Sequence, residues 1–183
     1  MEKYLVEHCS PTLASLKTAN LFSYSYSSLE EVDAYVSFWN QCMAEKGVNL
    51  CVLRIRGNTA LIYVYRKELL KKDMERPGVK CFLKSLGYDS IDVDCVVSRL
   101  KERLKNSQDF PHEIGLFLGY PLGDVVGFVE NSGRNCICAG CWKVYCNESE
   151  AMRTFQKFKK CTAIYRRLWS QGRRSVLQLT VAA

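Results

Sequence analysis

Glycines stand at positions 115, 119, 123 and 127, every fourth residue within the stretch Pro111–Cys146. Residues four apart share one face of a helix, so helices built from this stretch carry a flat side. Glycine inside a helix is destabilising relative to alanine, so the flatness needs a use. One use is close packing against a neighbouring element, which the steric role of glycine favours. The other is close approach of the backbone to a planar ligand, which makes Gly115, Gly119, Gly123 and Gly127 the candidate cofactor-binding positions. Asp109 and Pro111 open a first helix that Gly119 ends, Tyr120 and Pro121 turn the chain, and residues 122–131 form a second helix. The cysteines Cys136, Cys138, Cys141 and Cys146 follow, and His112 precedes the glycines.

The chain before this stretch reads as ordinary domain sequence. Ser10 suits a helix N-cap and Pro11 a first helical position, which predicts a helix over residues 11–20. That reading places Cys9 just outside a helix N-terminus, where peptide dipoles favour the thiolate. Residues 22–28 read as a Ser/Tyr loop. Ser28 and Glu31 form a capping box for a helix that Gly47 stops. Its core stripe comprises Leu29, Val32, Tyr35, Val36, Trp39, Cys42 and Met43. Residues 49–56 and 59–65 predict a hairpin through Gly57 and Asn58, with Arg54, Arg56 and Arg66 on a solvated rim. Helices are expected over 67–75, from Pro77 to near Gly87, and from 91 to 104. Asp92 and Asp94 open the last of these, where they complement its dipole rather than form a catalytic pair.

After the cysteines, residues 142–145 alternate as a strand. Asn147 and Glu150 open a long helix over 148–170, whose inner face carries Met152, Phe155, Phe158, Thr162, Tyr165 and Trp169. Residues 175–181 read as a final strand. The expected architecture is α+β, a small, mostly antiparallel sheet of about four strands packed with several helices. A single domain over 1–183 accommodates it.

The words PHEIGLFLGYPLGDVVGFVENSG and CWKVY, with CSPTLASLKTANLF and FQKFKKCTAIY, resemble an uncharacterised bacterial family. It is the family of unknown function numbered three-seven-nine-three, known mostly from Clostridia-type anaerobes. The resemblance spans essentially the whole chain. It implies a single-domain cytosolic bacterial protein and implies no activity. It also implies that HEIGLFLGYP and WKVY recur among relatives while the cysteines between them vary.

Charge and cysteine usage set the remaining options. The longest apolar window, residues 114–129, is broken by glycines, Pro121 and Asp124, so it does not read as a membrane span. The first residues lack the basic and apolar blocks of a signal peptide, which predicts a cytoplasmic protein. There the ten cysteines are expected to be reduced thiols. The net charge is +7, and no Asp or Glu follows Glu150.

Four chemistries fit these features. The leading one is a cysteine-based metal, cluster or redox-linked site. Cys136, Cys138 and Cys141 form a C-x-C-x-x-C word, with Cys161 as fourth donor (Cys146 and Cys9 are alternatives) and zinc or an iron–sulfur cluster as occupant. The second is a thiol enzyme, hydrolase or acyl transferase, with Cys9 as nucleophile and His112 as base. The third is thiol–disulfide exchange at Cys138 and Cys141. The fourth is non-catalytic binding by the basic C-terminal helix, which fits nucleic acid, an acidic partner or an anionic ligand. A phosphate-bearing small molecule between that helix and the glycine-spaced helices is one form of it.

Overall fold

The computed structural model describes residues 1–106 and 110–182. Three strands form the central sheet: β1 (Ala19–Ser25), β2 (Val48–Arg56) and β3 (Thr59–Arg66). Their order is β1-β3-β2 and both pairings are antiparallel. The hairpin from β2 to β3 follows the sequence reading, with one bulge between Val52 and Arg54. Strand alternation divides the interior. Tyr63 and Tyr65 of β3 face one core, while Ala60, Ile62 and Val64 face the other.

Helices cover both faces. On the Tyr63 side lie α3 (Lys67–Met74), α4 (Val79–Ser85) and α5 (Val93–Asn106). The short α6 (Ile114–Phe117) and α7 (Leu122–Glu130) complete that layer. Ile62 and its neighbours pack on α1 (Glu2–Leu13) and α2 (Leu29–Met43). A two-stranded hairpin, β4 (Cys138–Ala139) with β5 (Lys143–Val144), leads into α8 (Glu148–Ser170) and then α9 (Val176–Leu179). The fold is α+β, as expected. Among the described residues no helix is long and apolar enough to cross a membrane.

The ends of the chain differ from expectation. The first helix does not begin at Pro11. It runs from Glu2 and ends at Leu13, with Ser10 and Pro11 inside its last turns. Burial of Leu5, Val6, Cys9 and Leu13 outweighs the local capping signal. Pro11 is tolerated near the end, and its carbonyl accepts the backbone amides of Leu16 and Lys17. Residues 19–25, read partly as helix and partly as loop, become an edge strand paired to β3. Within residues 175–181, Val176–Leu179 form a short helix instead of a strand, because Ser175 and Gln178 make a complete capping box. Asn147 does not cap α8 with its side chain; it adopts a left-handed conformation and donates to Glu150 at 2.6 Å. The Asp109 cap lies outside the described residues. On α8, Met152 faces solvent, whereas Ala151 and Cys161 join Phe155 and Phe158 in burial.

Arg66 also departs from expectation. It is not on a solvated rim but is the largest fully buried side chain, 2 % exposed. Its Nε donates to the Thr12 carbonyl at 2.6 Å and its Nη1 to Lys46 at 3.1 Å. Nη2 donates to Leu13 and Val181, both at 2.7 Å. A buried charge costs several kcal/mol unless hydrogen-bonded, and here the guanidinium fork has four carbonyl acceptors. Two of them, Thr12 and Leu13, end α1 and each also accepts a backbone amide, from Ser15 and Val181 respectively.

Replacing Arg66 with Ala removes four hydrogen bonds and the buried side chain that fills their site, and is expected to destabilise the fold by roughly 3–5 kcal/mol. Arg66→Lys keeps the charge but not the fork and should lose less. Urea unfolding of the two variants checks both the size and the order.

Candidate functional site

The glycine-spaced helices pack against this chain's own side chains. A methyl group on Gly115 would stand 2.7 Å from Val125 Cγ2, and one on Gly123 would stand 2.9 Å from Cys146 Sγ. At Gly127 it would meet the Tyr145 ring at 2.5 Å. Gly119 has φ +78 and faces Thr18 Oγ1 at 2.7 Å. The Cβ direction of all four is occupied by this chain's own atoms, while Gly115 and Gly119 also border surface clefts. Close packing accounts for the repeat.

Asp124 ties the cysteine loop to that wall. It is buried, and its Oδ2 accepts Trp142 Nε1 at 2.7 Å. Its Oδ1 accepts the amides of Tyr145 at 2.7 Å and Cys146 at 2.9 Å, and the Cys146 thiol at 3.2 Å. Trp142 stacks on Tyr120 with centroids 4.8 Å apart and meets Phe155 edge-on at 4.5 Å. Gly140 is required there, because a methyl group would lie 2.3 Å from the Phe155 ring.

The same packing scatters the expected metal ligands. Cys138 belongs to a strand and packs with Val144, Ala151 and Phe155. Cys141 is exposed in the turn, Cys136 is half-buried before the hairpin, and Cys161 is buried on α8. Among the described residues no three His, Cys, Asp or Glu side chains are grouped to hold a metal ion. Cys136, Cys138, Cys141 and Cys161 are therefore not brought together as a ligand set. All ten cysteines are free thiols.

Cys9 and His112 are also apart. Cys9 lies within α1, fully buried in the core behind the sheet. Burial drives its thiol far above the ordinary value, against a smaller opposing effect of the Lys17 charge. That is the reverse of the activation expected at a helix N-terminus. His112 packs edge-on against Phe128 at 5.1 Å and lines a separate groove on the α7 side.

One residue the sequence reading passed over is unusually placed. Lys17, in the turn between α1 and β1, is only 9 % exposed. Its ammonium lies over the Tyr120 ring at 5.3 Å and the Phe158 ring at 5.9 Å. Among the described residues the ammonium has no hydrogen-bond or ion-pair partner. Burial lowers its pKa to about 8; the neighbouring Cys141 and Cys9 oppose this, but both thiols are themselves pushed upward by burial.

Lys17 lines a cleft of about 850 Å³ between α1, the turn at Tyr120, and α8. Lys159 and Arg166 of α8 bring further positive charge, and Leu21, Leu118 and Phe155 supply an apolar wall. No Asp or Glu lines the cleft among the described residues. Arg166 pairs with the half-buried Glu7 at 3.4 Å. No local sequence signal marks Lys17, since its burial comes from Tyr120 and Phe158, more than a hundred residues away in the chain.

The family model described as Protein of unknown function (DUF3793) matches residues 5–180, and the chain belongs to that family. No curated protein and no solved structure matches it.

Thiol accessibility checks the placement of Cys9. A maleimide probe on the native protein should modify exposed Cys81 and Cys95 and leave Cys9 unmodified until the chain is unfolded, as read by peptide mass mapping. Rapid native labelling of Cys9 would contradict its place in the core.

Proposed function

For this member of a family with no assigned activity, we propose that the chain binds a small organic anion in the Lys17 cleft. The observation that carries the reading is a largely buried lysine whose ammonium reaches an open cleft and has no counter-charge among the described residues. Lysine is rarely buried unless paired, and an uncompensated buried charge costs several kcal/mol. A bound carboxylate or phosphate supplies the missing partner, and low local dielectric strengthens that pairing.

The rest of the cleft defines the ligand class. Lys159 and Arg166 add positive potential at the mouth. The Tyr120 and Phe158 faces and the Leu21–Leu118 wall suit an apolar or aromatic body. Pockets that bind small molecules commonly combine such walls with a few placed polar groups. A cleft of about 850 Å³ suits a small molecule rather than a nucleic-acid strand. The scattered cysteines favour this reading over a metal or cluster site.

Anilinonaphthalene sulfonate, an anionic aromatic dye, serves as the test ligand, with phenyllactate as competitor. The dye should fluoresce on binding and be displaced by phenyllactate. Lys17→Met should weaken both by at least about tenfold, with an unchanged circular dichroism spectrum. Lys160→Met, which removes an exposed charge outside the cleft, should bind as the parent does. Equal weakening by the two variants, or none from Lys17→Met, would overturn the assignment.

A further inference from the structure

Resting on the anion-binding reading, we propose that Lys17 forms a reversible imine with a carbonyl-bearing organic acid, the class of aryl or alkyl 2-oxo acids. The geometry separates the two roles such a ligand needs. Lys17 sits between two aromatic faces, in a cleft whose described lining holds no carboxylate; the neighbouring cleft that it also borders holds Asp73, Asp124 and Glu150. Lys159 and Arg166, both exposed on α8 beside the cleft, add positive charge for the acid group that adjoins the carbonyl. The ligand's apolar body lies along Leu21 and Leu118.

A lysine becomes a carbonyl nucleophile when it is desolvated or placed beside other cations, because both raise the share of free amine. Lys17 meets the first condition through burial, and its pKa of about 8 agrees with that setting. An exposed lysine at its ordinary value holds far less free amine at neutral pH. The chemistry balances without an outside reagent. The Nζ lone pair attacks the carbonyl carbon, and an amine proton passes to the carbonyl oxygen to give a carbinolamine. Loss of water then leaves the carbon–nitrogen double bond, and hydrolysis returns both partners unchanged. Water reaches the step because the cleft is open to solvent.

The experiment treats the full chain with phenylpyruvate and cyanoborohydride, which reduces an imine to a stable secondary amine. Peptide mass mapping then locates the adduct. Lys17 is expected to be modified at least about tenfold faster than exposed Lys3 and Lys157. Phenyllactate, which has the same acid group but no ketone, should protect Lys17. Lys17→Arg keeps the charge and lacks the nucleophile, so it should retain phenyllactate binding and lose the adduct. Modification of Lys17 no faster than Lys3 overturns the imine. If phenyllactate still displaces the dye in that case, anion binding stands alone; if it does not, both readings fall. The mapping uses the parent protein, so the outcome does not depend on how a variant folds.

Discussion

The buried guanidinium of Arg66 is the constraint on which the remaining structure depends. It lies at the end of β3 and bonds to the last carbonyls of α1, to Lys46 after α2, and to Val181 near the C-terminus. Four segments distant in sequence meet at one charge. The charge stays buried because four of its five N–H donors find a carbonyl oxygen. Arg66 also donates its backbone amide to Thr18, one residue from Lys17. Thr18 in turn donates its hydroxyl to Asp73 and fills the space before Gly119. The turn that carries Lys17 is thus held from both sides, and its lysine is positioned by backbone anchors rather than by a partner for its own charge.

The glycine-spaced helices serve the cleft indirectly. Their flat faces accept Val125, Cys146 and Tyr145 at distances no larger residue would permit. Asp124 gathers the hairpin through Trp142, Tyr145 and Cys146. Trp142 then wedges between Tyr120 and Phe155. This aromatic row joins the helix turn, the hairpin and α8, and sets Tyr120 against Lys17. The Tyr120 hydroxyl adds a bond to the Cys141 carbonyl at 3.2 Å. What looked in sequence like a metal loop is a packing element that shapes one side of the cleft.

Features governed by short-range rules were legible in the sequence. The β2–β3 hairpin, α2 with its Ser28 cap, and the extent of α8 all follow from turn chemistry and hydrophobic period. Features set by distant contacts were not. Ser10 and Pro11 carry a strong start signal, yet the apolar stripe before them holds the helix. Arg66 sits in a run of charged residues that reads as solvated, and only the fold brings it four carbonyls. Lys17 has no motif around it. The cysteines offered ligand spacing, but a two-residue strand and a tight turn send neighbouring thiols to different surroundings. The basic character of α8 was visible, whereas the lysine it encloses was not.

The titration of Lys17 tests the central claim most directly. Isotope-detected NMR of its ε-amino group reads the charge in the folded protein. The free chain should titrate near 8 rather than at the ordinary 10.5. Between those values the unfolded chain holds a proton that the native chain lacks, so stability should rise with pH across that window. Bound phenyllactate favours the charged form, so it should move the titration upward and its affinity should fall as pH passes 8. A Lys17 that titrates at the ordinary lysine value and does not respond to phenyllactate would contradict the account.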